Sequence, residues 1–536
     1  MKSLSHKIDL EIILRFFLIY FLFIFSPDRD FENKNESSEI APGQAYNKLL
    51  HISREMTYLD SVITLCDWDQ NLMMPREGTE ARAKILAYLS DLRNKIIVDS
   101  QFGILLKSAE KESNWSPIEA ANLRLWKRDY YKKTKLPEGF VARESELAIL
   151  SQAAWEKARE KNDYAIFKPY LNALVDLYKE KSKHIGYKNH PYDVLLDDKM
   201  PGMTVERCDK LFNEIKPKVI EFIKKFKKSS LFSSANPFQG TIYPKIKQEE
   251  FLREITETLG YSYESGLLNE TKRHPQTDVI AIGDVRICTR YSQNDPLIGI
   301  LSGIHEAGHG INLQGVPKDY YGMPVFNSPG LDMDEAQSRF FENHIGRSKP
   351  FWQYYFPTFK EKFSPASDNI SLDDLYRYAN RINLGPIRLE ADEVSYVLHI
   401  IIRYEIERDL FGNIINTENL PNIWMQKHED YLGVQVPDDR SGILQDIHWA
   451  AGLFGYFPSY VLGSLNAAQL DAAMRRDYPD LDQHLASGDL NIMASWMKDH
   501  VYKYGSIYEV PELMKLASGK DTDFTDFLIY LGNKYR

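Results

Sequence analysis

The sequence predicts a mostly α-helical protein with one small β element. Apolar residues recur at helical spacing from about Tyr46 onward, as in Leu171, Leu174, Val175 and Tyr178 and in the run from Tyr396 to Ile406. One stretch, Val279 to Tyr291, carries a strand pattern instead, with Gly283-Asp284 as its turn. A chain of 536 residues, 26% charged and 43% apolar, can bury a substantial core. No internal repeat or low-complexity tract interrupts it. Residues 1–44 read as an N-terminal extension and 45–536 as one large domain.

Taken in order, the extension comes first. Residues 1–15 carry Lys2, Lys7 and Arg15, and Phe16 to Phe25 is an unbroken apolar run ending at Ser26-Pro27. Ten residues are too few to span a bilayer cleanly but match the core of a signal peptide. Adding Ile12 to Leu14 across Arg15 would make a poor anchor, and no small-x-small cleavage site follows. Residues 28–44 are polar and charged, include Pro42-Gly43, and read as a linker.

Leu211, Ile215, Val219, Phe222 and Phe226 mark an amphipathic helix, so Lys224, Lys225, Lys227 and Lys228 form its solvated face. Pro217 is expected to kink or restart it. With a net charge of −10, the chain offers no general nucleic-acid surface. The three cysteines, Cys66, Cys208 and Cys288, are far apart, which excludes a disulfide framework or a Cys-x-x-Cys metal site. Cys288 reads as a buried strand residue, with a cysteine nucleophile as the alternative.

The β element leads into a helix. Asn294-Asp295-Pro296 supplies a capping side chain and a first-turn proline. Leu297, Ile300, Leu301 and Ile304 follow at helical spacing, and Gly315 and Pro317 mark the stop. Within it stands His305-Glu306-Ala307-Gly308-His309. Histidines at i and i+4 share one helical face and can meet on one metal ion, while Glu306 can reach a water at that metal. The pattern is that of a zinc peptidase, which needs a third protein ligand. One class takes a histidine six residues after the second, with glycine three residues after it; Gly315 and Asn312 stand there, so that class is excluded. The other takes a glutamate from a following helix, which Ser328-Pro329 can start here. Asp332, Asp334, Glu335 and Glu342 are available, and spacing leaves Glu335 and Glu342 both open.

The chain at this point resembles the M32 family of metallocarboxypeptidases. That family has a His-Glu-x-x-His helix and then His-Glu-Ser-Gln-Ser-Arg, whose glutamate is the third ligand. Asp334-Glu335-Ala336-Gln337-Ser338-Arg339 aligns with it, so the resemblance selects Glu335. Leu65-Cys66-Asp67-Trp68-Asp69 with Met74-Pro75 looks like its N-terminal segment. Asp284-Val285-Arg286 matches the start of Asp-x-Arg-x-Thr, and Ile387-Arg388-Leu389-Glu390-Ala391-Asp392 matches Ile-Arg-x-x-Ala-Asp. Gly442-Ile443-Leu444-Gln445-Asp446-Ile447-His448-Trp449 matches Gly-x-x-Gln-Asp-x-His-Trp in full. The resemblance runs from about Tyr46 to the C-terminus. It implies a large helical peptidase fold with a deep central cleft, a small β element beside the zinc helix and, by inheritance, a homodimer. Three positions depart from the pattern: Asp334 replaces a histidine, Cys288 a threonine and Gln276, in His274-Pro275-Gln276, a phenylalanine. None is a ligand or the base; all three bear on substrate preference or on the shell around the metal.

The expected chemistry follows. Zinc, with cobalt as a possible substitute, is held by His305, His309 and Glu335, and Glu306 is the general base. His448, Tyr456 and Tyr460 are candidate oxyanion donors. Removing a C-terminal residue calls for a cation on the substrate carboxylate, and Arg286 and Arg388 stand in family motifs. Their alternative is a structural ion pair with Asp284 or Asp392. An open strand edge near Val279 to Tyr291 could pair with an extended peptide. The expected partners are peptides with a free C-terminus, with no nucleic acid. Two rivals are a zinc endopeptidase of similar helical type and a catalytically weak peptide-binding homologue. Members of this family are usually intracellular, so a cytoplasmic location is expected. Export or membrane tethering through residues 10–26 is the alternative.

Overall fold

The computed structural model describes residues 40–226, 234–272 and 274–535. The apolar run Phe16 to Phe25, Lys227 and Lys228 fall outside these residues. Among the described residues, no helix is long and apolar enough to cross a membrane.

Among the described residues the first helix, α1, spans Pro42–Leu72, and α2 spans Thr79–Val98. The sequence reading ended the linker at residue 44, but Pro42 and Gly43 already lie in the first turn of α1. A proline suits that turn because its missing N–H has no intrahelical partner there. Helix α3, Lys168–Ile185, buries Leu171, Leu174, Val175 and Tyr178 as their spacing requires. Helix α4, Val205–Phe226, runs through Pro217 without restarting. Pro217 and Asn213, four residues before it, are both exposed, so the carbonyl left without a partner can be served by water.

The sheet has three strands in the order β1-β3-β2, with β1 Gly266–Glu270, β2 Gln276–Ala281 and β3 Asp284–Thr289. β2 and β3 form the expected antiparallel pair, turning at Gly283, whose φ of 79° is a left-handed conformation that favours glycine. Asp284 itself opens β3. The parallel partner β1 was not anticipated, because Gly-Leu-Leu-Asn-Glu shows no clear strand alternation. The apolar cluster Trp68, Ile280 and Cys288 seats the end of α1 on the sheet. Burial pushes the Cys288 thiol up to about 12, so it stays protonated and packs as a hydrophobe.

Helix α5, Pro296–Gly315, follows the sheet, and Asp295 caps it by accepting from the Leu297 N–H. Helix α6, Leu331–Arg339, continues into a wider π-helical turn over Phe340–Gly346. It begins two residues later than Ser328-Pro329 would place it. Helix α7, Ser395–Phe411, is buried on nearly every face, and so is α8, Pro458–Asp477. Val461, Leu462 and Leu465 of α8 belong to one large apolar cluster, whereas Ala467, Leu470 and Met474 belong to a second that contains α5 and α6. Helix α8 therefore lies between two halves of the core, with α6 packed on it.

Two glycines set these packings. A Cβ on Gly308 would stand 2.8 Å from the Gln337 carbonyl oxygen and 2.8 Å from the Ser338 Cα, so α5 and α6 meet backbone to backbone. A Cβ on Gly463 would meet the Glu335 Cβ at 2.7 Å. We predict that Gly308→Ala forces α5 and α6 apart and costs about 1–3 kcal/mol of stability. Denaturation curves measure that loss, and metal analysis of the purified variant should show reduced metal retention, since His305 and His309 move with α5.

Candidate metal centre

The i, i+4 spacing on α5 puts the His305 and His309 rings 5.2 Å apart, and the first turns of α6 bring Glu335 across from them. One ligand atom from each of His305, His309 and Glu335 lies within 4.8 Å of the others. The Glu335 Oε2 is 3.9 Å from His305 Nε2 and 3.7 Å from His309 Nε2. Ligands around tetrahedral zinc stand about 3.3 Å apart, so this set is close to binding geometry. All three side chains are mostly buried, with the histidines still partly open to solvent.

Each of these three side chains is backed by a further group. Glu342, from the π-helical turn, sits 2.9 Å from His305 Nδ1, leaving Nε2 to face inward. Burial alone would raise the Glu342 carboxyl, but Arg347 and Arg339 with the His305 contact hold it well below the usual range. It therefore serves as an ionised acceptor. The Arg339 Nε donates to Glu335 Oε1 at 2.7 Å, which turns Oε2 toward the histidines. Arg347 donates to Glu342 at 2.7 Å. Asp334 Oδ1 lies 3.5 Å from His309 Nδ1. The site thus gathers the carboxylates of Glu306, Asp334, Glu335 and Glu342 against the guanidiniums of Arg339 and Arg347. The negative excess is what a bound dication would neutralise. Donor set, spacing and charge all fit a divalent metal.

Glu306 is 5% exposed, and its Oε2 accepts from the Thr277 hydroxyl at 2.7 Å. The same hydroxyl lies 2.9 Å from the Glu306 backbone oxygen. Thr277 is on β2, so the sheet positions this carboxylate. Sequence reasoning missed Thr277, although its place in the strand beside the metal helix was the available signal.

The motif arginines are already engaged. Arg286 holds Asp284 through Nε and Nη2, both at 2.7 Å. Arg388 is buried and places Nε and Nη2 on one oxygen of Asp446, each at 2.9 Å, while Nη1 donates to Tyr396 at 2.9 Å. Its acidic partner is therefore Asp446. Asp392 instead accepts from Val394, Ser395 and Asn383. Arg403 takes the other Asp446 oxygen at 2.7 and 2.6 Å. Burial would raise the Asp446 carboxyl, but the two arginines hold it well below its ordinary value of 3.8.

His448, Tyr456 and Tyr460 do come together: the His448 ring is 5.4 Å from Tyr456, and Tyr456 is 5.4 Å from Tyr460. Burial drives His448 down to about 3, so its imidazole is neutral near pH 7. Burial drives both phenols above their ordinary range, so both keep their protons. Tyr396, its ring 5.9 Å from that of Tyr460, lies under the Arg339 guanidinium at 4.6 Å, and Arg339 holds Glu335, which links this cluster to the three convergent side chains. Gln276 accepts from Asn71 of α1 at 3.2 Å and donates to Asp278 at 2.6 Å, tying α1 to the edge strand β2.

The model of the Carboxypeptidase Taq (M32) metallopeptidase family matches residues 48–535. The chain belongs to the M32 family. It is a metallocarboxypeptidase by that membership. Carboxypeptidase 1 of Bacillus subtilis is 37% identical over 90% of this chain and 96% of its own length. Thermostable carboxypeptidase 1 of Thermus thermophilus is 35% identical over 92% and 99%. Among solved structures, an M32 carboxypeptidase from Deinococcus radiodurans superposes with a TM-score of 0.88 at 30% identity, covering 92% of this chain and 98% of that one. A Pyrococcus furiosus carboxypeptidase gives 0.89 at 31% identity, covering 92% and 99%. As an M32 chain, the protein shares with these relatives the helical fold described above.

Two predictions follow from these contacts. Glu335→Ala should purify with little metal, whereas Glu342→Gln should still load fully at high metal but bind roughly 10–100-fold more weakly. Metal content and competition titration distinguish the two. Asp446→Asn should cost about 3–5 kcal/mol at neutral pH, because Arg388 and Arg403 stay buried without their counter-charge. The Asp446 carboxyl is depressed in the folded state, so its contribution is present above the unfolded value and fades as pH falls below it. The stability gap between wild type and variant should hold down to about pH 4 and narrow only below it.

Proposed function

We propose that this protein is a zinc-dependent carboxypeptidase that releases single residues from peptides with a free C-terminal carboxylate. The observation that carries this reading is the Glu306 carboxylate, anchored by Thr277 on the same helical turn as two of three convergent ligand side chains. His305, His309 and Glu335 would hold the ion. Zinc bound there would supply Lewis acidity, lowering the pKa of water toward neutrality and polarising the scissile carbonyl.

The chain's own groups do the rest. Glu306 takes the proton from the attacking water and passes one to the leaving amine. Thr277 keeps that carboxylate aimed during both transfers. The Tyr456 and Tyr460 hydroxyls and the neutral His448 ring supply donors for the developing oxyanion without introducing a competing charge. Arg388 is the cation in that cluster, with its centre 5.5 Å from the Tyr460 ring. Its Nε and Nη2 are held on Asp446 and Nη1 donates to Tyr396, and the one remaining N–H on each Nη is assigned to the substrate carboxylate. Edge strand β2 offers main-chain groups to an extended peptide beside Glu306.

The test uses metal-loaded protein and a peptide read by mass. Wild type should shorten it one C-terminal residue at a time, and an amidated copy should resist. Chelation should stop the reaction, and zinc or cobalt should restore it. Glu306→Gln should retain its metal yet turn over roughly 10²–10⁴-fold more slowly. Internal cleavage of the amidated peptide would identify an endopeptidase instead. Undiminished activity of Glu306→Gln with metal in place would remove Glu306 from the mechanism.

A further inference from the structure

His309 has a buried Nδ1 with no hydrogen-bond partner, although its Nε2 faces the ligand cluster. A histidine that gives the lone pair of one ring nitrogen to a metal carries a proton on the other, and a buried N–H without an acceptor is costly. The group facing this nitrogen is the Asp334 carboxylate, 3.5 Å away. That is an ion-pair separation, longer than a formed hydrogen bond. Asp334 sits in the first turn of α6, where the helix dipole favours a negative charge, and its backbone N–H is tied to the Gly330 carbonyl at 3.1 Å. Its side chain is 31% exposed, so a change there does not open the core.

The other histidine shows the same arrangement already closed. His305 Nδ1 meets Glu342 at 2.9 Å, and Glu342 lies on the continuation of the same helix. The third ligand, Glu335, is adjacent to Asp334. One helix therefore presents a ligand to the two histidines and an acceptor to the far nitrogen of each.

We propose that Asp334 is a positioning residue for the metal centre: it accepts the His309 Nδ1–H, fixes that ring's tautomer and orientation, and strengthens Nε2 as a ligand. This rests on the metal reading given above. It concerns a position where the chain departs from the family pattern, and it assigns the departing residue a task in metal affinity rather than in substrate choice.

The experiment compares wild type with Asp334→Asn and Asp334→Ser, all as full chains. Zinc affinity is measured by competition with a chelating dye, and the visible absorption of the cobalt-loaded forms reports ligand geometry. Both variants should bind one zinc with a dissociation constant roughly 10–100-fold above wild type. Their cobalt bands should shift, with far-ultraviolet circular dichroism unchanged. A purely structural role would lower the folded fraction without moving the cobalt band of what remains folded, and that result would overturn the proposal. Zinc constants within about two-fold of wild type and unshifted bands would also overturn it, leaving the metal reading intact. Failure of wild type to bind zinc would overturn both.

Discussion

The backbone contact between α5 and α6 is the constraint on which the centre depends. At Gly308 the two helices approach so closely that a methyl group would collide with the Gln337 carbonyl and the Ser338 backbone. Without that approach, Glu335 could not stand within 4 Å of both histidine rings. The second glycine contact, Gly463 against Glu335, packs the same helix closely onto α8. The convergence of His305, His309 and Glu335 is thus assembled by helix packing. A close-packed interior transmits a shift of one helix to every ligand it carries.

Electrostatics then defines which atoms face the centre. Each of the three side chains has two polar ends, and in each case one end has a neighbour of its own: Glu342 at His305, Arg339 at Glu335 and Asp334 at His309. Removing an end from competition orients the other, which is how outer groups tune a metal site. The π-helical turn after α6 contributes by carrying Glu342 back toward α5. Glu342, which the spacing alone leaves open as a third donor, has His305 Nδ1 and two arginines as its partners, whereas the three convergent donors are His305, His309 and Glu335.

The motif arginines teach a related lesson. A family motif marks residues that matter without saying how they matter. Arg388 and Arg403 share Asp446, one on each oxygen, buried beside the segment that carries the neutral donors. This pairing lets two cations stand in a core where unpaired charge would be severely destabilising. Gln445 extends the same web by accepting from both arginines' side of the motif, at the Arg388 backbone and the Arg403 Nη2. The web holds the segment that bears His448, Tyr456 and Tyr460.

The sequence by itself determined what depends on short-range spacing. The helical period, the Asp295 cap, the two histidines one turn apart and the β2–β3 turn are all set within a few residues, and all appear in the structure. The resemblance carried the helical fold as a whole and pointed to Glu335, which the structure brings within 4.8 Å of both histidines, because ordered motifs encode a shared packing that no local rule contains. Tertiary structure decided what depends on contact between distant segments. Thr277 reaches Glu306 across 29 positions, Glu342 reaches His305 across 37, and Arg388 finds Asp446 rather than Asp392 across 58. The parallel strand β1 and the passage of α4 through Pro217 belong to the same class. A strand without its own alternation pattern needs a neighbour to exist, and a proline is tolerated where the orphaned carbonyl faces water. Local rules cannot supply these outcomes, because the free energy that selects them arises only when the partners have been brought together.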